Sequence, residues 1–159
     1  MEVLPLPENL TDLTIKKKKS NKKNNSEEVE QFQFISFLKT NYPNILFRVA
    51  VDGVRLSIGT AVKLKKNGIL QRSLPDVEIF FPTIQYHGLF IEMKITNRKL
   101  FKKDGSYVDE HTKEQAQILK QFNEIGYYAS FGIGYEHAKN ILVAYIDNNI
   151  EQLNILKTI

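Results

Sequence analysis

The chain has no cysteine, so disulfides and thiolate metal sites are excluded and any metal must be held by oxygen or nitrogen. It has no apolar run near the ~20 residues that a membrane span requires. The first residues lack the short apolar stretch of a secretory signal, so an intracellular, soluble protein is expected. Net charge is also scarce where it would matter. Of the formal +4, residues 1–26 contribute +3 through six lysines set against Glu2, Glu8 and Asp12, which leaves +1 for the body. The body instead segregates its charge locally, in a cluster of Lys63, Lys65 and Lys66 and another of Arg98, Lys99, Lys102 and Lys103. Such patches can bind phosphates, and they are equally what a solvated surface looks like.

What is present suits one domain. The 159 residues, 42% hydrophobic and 11% aromatic, suffice for a core but not for two. Lys16–Asn25 holds no apolar residue and cannot offset its ordering entropy, so residues 1–25 are read as a flexible basic arm and 26–159 as the folded domain. Gripping nucleic acid and merely conferring solubility are both open for the arm.

A helical pattern begins at Ser26, a plausible N-cap, with Glu27 and Glu28 in the first turn where the helix dipole favours anions. Phe34, Ile35, Phe37 and Leu38 give it a buried stripe, and Tyr42-Pro43 ends it. Ile45–Val51 reads as a strand stopped by Asp52-Gly53, and Ile58–Lys66 as a short helix closed by Asn67-Gly68. Val77–Phe81 and Leu89–Ile95 read as a hairpin. Thr112-Lys113-Glu114-Gln115 fits a capping box that opens a helix ending at Gly126. A strand over Tyr127–Ile133, a helix over Tyr135–Ile146 and a short terminal helix follow. This order predicts an α/β domain with a mixed central sheet flanked by helices.

Period-2 alternation puts Phe90, Glu92 and Lys94 on one strand face and Leu89, Ile91, Met93 and Ile95 on the other. With a turn near Ile84, ladder partners sum to 168, which sets Asp76 opposite Glu92. Two facing carboxylates repel, and a divalent cation between them resolves the conflict because Mg²⁺ takes carboxylate oxygen. Lys94, one pleat along, can orient or deprotonate an attacking water or stabilise charge on a phosphate. A plain ion pair of Lys94 with either carboxylate is the structural alternative.

Pro75-Asp76 with Glu92-Met93-Lys94 resembles the hallmark of the PD-(D/E)XK nucleases. The surroundings resemble their VRR-NUC branch, in particular its short stand-alone bacteriophage and bacterial members. The resemblance lies in Ser26-Glu27-Glu28-Val29-Glu30-Gln31, Gly53-Val54-Arg55, Tyr86 through Lys94, Glu114-Gln115 and Gly126-Tyr127, and spans roughly residues 26–147. It implies a restriction-endonuclease-like core, Mg²⁺ or Mn²⁺, and DNA as substrate, branched DNA such as a four-way junction or flap above all. It also implies a first-helix glutamate at the metal, for which Glu27 fits best and Glu30 is the rival, and a glutamine, Gln115, beside the catalytic strand. Asp76, Glu92 and Glu27 are then the metal ligands. Two departures bear on substrate contacts: Ser73 stands where the family usually has glycine, and Thr96–Glu110 is longer than usual. His87 and His111 are expected in loops, with surface or hydrogen-bonding roles.

A non-cleaving DNA-binding or assembly module is the alternative, against which the intact Asp76, Glu92 and Lys94 set argues. A base-specific restriction enzyme is a further rival, but so short a chain leaves little room for a recognition domain. A homodimer is expected because cutting both strands of a branch needs two centres in fixed relation. The apolar Ile150, Leu153, Ile155, Leu156 and Ile159 could serve that interface or pack on their own domain.

Overall fold

A computed structural model describes residues 27–50, 62, 63, 66 and 74–159. The basic arm, Ser26, Asp52-Gly53, Gly53-Val54-Arg55, Asn67-Gly68 and Ser73 lie outside the described residues, as does most of Ile58–Lys66, of which Val62, Lys63 and Lys66 are helical. The elements are α1 (Glu27–Asn41), β1 (Phe47–Val49), β2 (Val77–Ile79), β3 (Leu89–Lys94), α2 (Glu110–Glu124), β4 (Tyr128–Ile133), α3 (Gly134–Ile146) and α4 (Ile150–Leu156). No described helix is long and apolar enough to cross a membrane.

The strands form one sheet in the order β1-β2-β3-β4, antiparallel except for the parallel pair β3–β4. The β3–β4 connection contains α2, as a parallel crossover requires. The hairpin register is the expected one: Val77 pairs with Ile91, Glu78 with Phe90 and Ile79 with Leu89. Both strands are shorter than their apolar runs. Phe80 and Phe81 leave the β2–β3 ladder, although the Phe80 N–H still donates to the Leu46 carbonyl at 2.8 Å.

Both faces of the sheet are covered. On one, Leu89, Ile91, Met93, Val77, Ile79 and Tyr128 pack with Phe34 and Leu38 of α1 and Ile141, Leu142 and Tyr145 of α3. On the other, Phe90, Ala129 and Phe131 pack with Ala116 and Leu119 of α2. All six residues of β3 are therefore buried, Glu92 and Lys94 included. The terminal apolar set divides. Leu153 is fully buried, Ile150, Leu156 and Ile159 pack on the chain's own cores, and Ile155 is exposed.

α2 starts earlier than the Thr112 capping box suggests. Asp109 is its N-cap, accepting the Thr112 N–H at 2.7 Å, so Thr112 is the third helical residue. An aspartate three residues before the expected cap satisfies the orphan donor first. The helix ends as expected at Gly126, where φ is +93°. The Gly126 N–H donates to the Asn123 carbonyl and the Tyr127 N–H to Phe122, closing a Schellman turn. A Cβ on Gly126 would also sit 2.7 Å from the His87 ring.

Where β4 borders no further described strand, Thr158 lies along its edge. Its hydroxyl accepts the Phe131 N–H at 3.2 Å and faces the Phe131 carbonyl at 3.3 Å, and its N–H donates to Ser130 Oγ.

Glu30 joins three elements. Its carboxylate accepts the Thr96 hydroxyl at 2.6 Å, the Thr96 N–H at 3.4 Å and the Tyr135 N–H at 2.7 Å. Burial pushes this carboxyl up, but the three donors outweigh it and hold it below the usual range. Glu30→Ala would take the carboxylate from the exposed Thr96 and the half-buried Tyr135 N–H, and is expected to cost about 1–2 kcal/mol. Urea unfolding in EDTA would measure it, and an unchanged midpoint would show that water replaces the carboxylate.

Candidate metal centre

The β2–β3 ladder, continued one pair beyond its last rung, brings the start of β2 alongside the end of β3. Asp76 stands there, immediately before β2. Its backbone carbonyl accepts the Ala50 N–H, just past β1, at 2.7 Å, and its Oδ2 accepts the Met93 N–H at 2.7 Å, so the backbone is tied on the β1 side and the carboxylate to β3. Glu92 and Lys94 point from β3 to the α2 face, as the alternation requires. Glu27 comes from the first turn of α1 and Gln115 from the second turn of α2.

These side chains meet. One carboxylate oxygen from each of Glu27, Asp76 and Glu92 lies within 4.8 Å of the others. Lys94 Nζ donates to Glu92 Oε1 at 2.9 Å and to Glu27 Oε1 at 3.4 Å. Gln115 Nε2 donates to the same Glu92 Oε1. Both donors converge on one oxygen, and among the described residues Oε2 accepts no hydrogen bond. Glu30, one turn further along α1, is absent from the group and occupied with Thr96 and Tyr135.

The electrostatics are unbalanced. Burial, and then the negative charge of Asp76, push the Glu92 carboxyl up to about 8, against the pull of Lys94. Burial pulls Lys94 down, but Glu92 and the neighbouring carboxylates outweigh it and leave its ammonium held above the ordinary lysine value. One buried cation thus serves three carboxylates. Gln115 adds a buried carbonyl oxygen, Oε1, with no hydrogen-bond partner. Three clustered carboxylates and an unpartnered amide oxygen are the hard donors that Mg²⁺ or Mn²⁺ takes, so the residues fit such an ion.

The group lies in a cleft of about 370 Å³. Its other wall, which the sequence reading did not bring together, is Ile95, Arg98, Asp109, His111 and Thr112. His111 belongs to the first turn of α2 rather than to a loop; the same misplaced helix start put it outside. Position 98 carried a signal only as part of a lysine-rich cluster. His87 is in a loop and packs against Tyr127. His137 accepts the Ile133 N–H through Nδ1 and reaches the Leu156 carbonyl through Nε2, and burial pulls its pKa down, so it stays neutral and structural.

Among solved structures, one named "VRR_NUC domain protein" superposes with a TM-score of 0.51 at 22% identity, over 76% of this chain and 88% of that one. No family model and no curated protein matches the sequence. The superposition shows a shared α/β fold, the mixed four-stranded sheet with helices on both faces.

Proposed function

We propose that the chain is a divalent-metal-dependent endodeoxyribonuclease of the PD-(D/E)XK class and VRR-NUC type. The observation that carries the reading is the carboxylate triad of Glu27, Asp76 and Glu92 with Lys94 bonded into it. Glu27, Asp76 and Glu92 would hold Mg²⁺ or Mn²⁺, which when bound supplies Lewis-acid polarisation of a phosphate and a more acidic water. The chain's own groups do the rest. Lys94 and Gln115 fix Glu92 by occupying one of its oxygens, and the Met93 N–H fixes Asp76. The Lys94 ammonium stands where charge develops on a phosphate and is positioned before substrate arrives. The shared fold of the VRR_NUC domain protein supports this reading, as do the sequence motifs.

We further propose branched DNA as the preferred substrate and a two-fold homodimer as the acting species. With most of the terminal apolar set engaged in its own domain, the dimer rests on the geometry of paired cutting. Incubation with linear, splayed, flap and four-way DNA, with Mg²⁺, Mn²⁺ or EDTA, is the test. Cleavage confined to the metal lanes and fastest on branched DNA is expected. Cleavage in EDTA, or none on any DNA, would refute the reading. Sedimentation with and without four-way DNA should show a dimer; a monomer that still makes paired symmetric nicks would refute that part.

A further inference from the structure

The wall of the cleft opposite the carboxylates is built around one guanidinium. Arg98 Nη2 donates to Asp109 Oδ2 at 2.7 Å. The other oxygen of Asp109 accepts the Thr112 N–H at 2.7 Å. One carboxylate therefore does two jobs, capping α2 and holding the Arg98 fork at the rim. Asp109 is kept below its usual range first by that backbone N–H, with Arg98 and His111 close enough to add to the effect. It remains charged at any ordinary pH.

The two permanent cations of the cleft differ in accessibility. The Lys94 side chain is 8% exposed and committed to Glu92 and Glu27, whereas Arg98 is 43% exposed. A guanidinium carries five N–H donors, of which Asp109 takes one. A strand entering the cleft brings phosphates towards four carboxylates, counting Asp109. Among the described residues lining it, Arg98 is the exposed permanent charge able to meet them.

Resting on the nuclease reading, we propose that Arg98, oriented by Asp109, is a substrate-contacting residue that grips one backbone phosphate of the bound DNA strand. Planar two-point recognition of phosphate is what a held guanidinium does best. The contact is to the backbone, so it sets the register of the strand on the metal centre and carries no base preference.

The test is binding without catalysis. Glu92→Gln protein in EDTA has no metal and no ionisable group at position 92, and its affinity for a short fluorescent DNA duplex is read by anisotropy. Adding Arg98→Ala is expected to weaken binding roughly tenfold. Neutral methylphosphonates are then placed one linkage at a time. At one linkage the neutral group should weaken binding when Arg98 is present and have no further effect when it is alanine. Thermal midpoints should match, because the removed side chain is half exposed. Unchanged affinity on Arg98→Ala, or a methylphosphonate penalty retained at every linkage, would overturn the inference. Wild-type cleavage in Mg²⁺ is followed in parallel. A protein that binds through Arg98 but never cleaves would keep this inference and remove the nuclease reading.

Discussion

Asp76→Asn and Glu92→Gln should each lower metal-dependent DNA cleavage by roughly a thousandfold or more while leaving a folded protein. Each change keeps the shape of the side chain and removes one of the three charges that would hold the ion. In EDTA near neutral pH both variants should melt higher than wild type, since the cost of keeping Glu92 protonated beside Asp76 is removed or reduced. With Mg²⁺ that advantage should vanish, as only the intact triad gains binding energy on adding metal. Lys94→Ala should lose turnover to a similar degree for a different reason. It strips buried Glu92 of its cationic partner, so it should be destabilised in EDTA and rescued by Mg²⁺. Single-turnover cleavage with parallel melting curves reads both effects. Wild-type rates in any of the three variants would remove the metal centre as described.

The second large effect is a stability that falls as pH rises in metal-free protein. Glu92 is held up to about 8 against an ordinary value of 4.5, by burial first and by Asp76 second. The folded chain thus keeps a proton that the unfolded chain has released. Its contribution is fully present below pH 4.5 and is lost as pH climbs through 8. Each pH unit inside that window costs up to about 1.4 kcal/mol, so the whole span is worth on the order of a few kcal/mol. The negative charge of Asp76 contributes to the shift, so the slope depends on it as well as on burial. Urea titrations in EDTA from pH 5 to 8.5 should show the decline, and Glu92→Gln should flatten it. Saturating Mg²⁺ should reverse its sign, because binding favours the ionised cluster. A flat wild-type profile in EDTA would mean that Glu92 ionises freely in the folded protein.

Asp76 and Glu92 could be paired from the sequence because a strict period of two admits few registers once the turn is placed near Ile84. Gln115 was legible through motif resemblance, since no local rule distinguishes it from a first-turn helix residue. Glu27 and Glu30 could not be separated, because they lie one turn apart on α1 and only the docking of α1 on β3 and α3 decides which reaches the cleft. The start of α2 slipped because Asp109 and Thr112 are both good caps three residues apart, and the choice depends on where the chain returns from β3. Arg98, Asp109 and His111 were invisible as a group for that same reason. Their meeting is set by the path of the loop from Ile95 to Asp109, which has no periodicity to read.

Sheets invite copies of themselves. A strand at the end of a ladder offers its unused amides to any extended segment, and β4 is six residues long. Here the Thr158 hydroxyl occupies both the N–H and the carbonyl of Phe131, in the middle of that border, as a one-residue imitation of a neighbouring strand. The sheet is thereby told where to stop. The Asn123 side chain does the same for Ala129 and the His137 ring for the Ile133 N–H, so Thr158→Val would free the amides of one residue and leave the rest of that border closed.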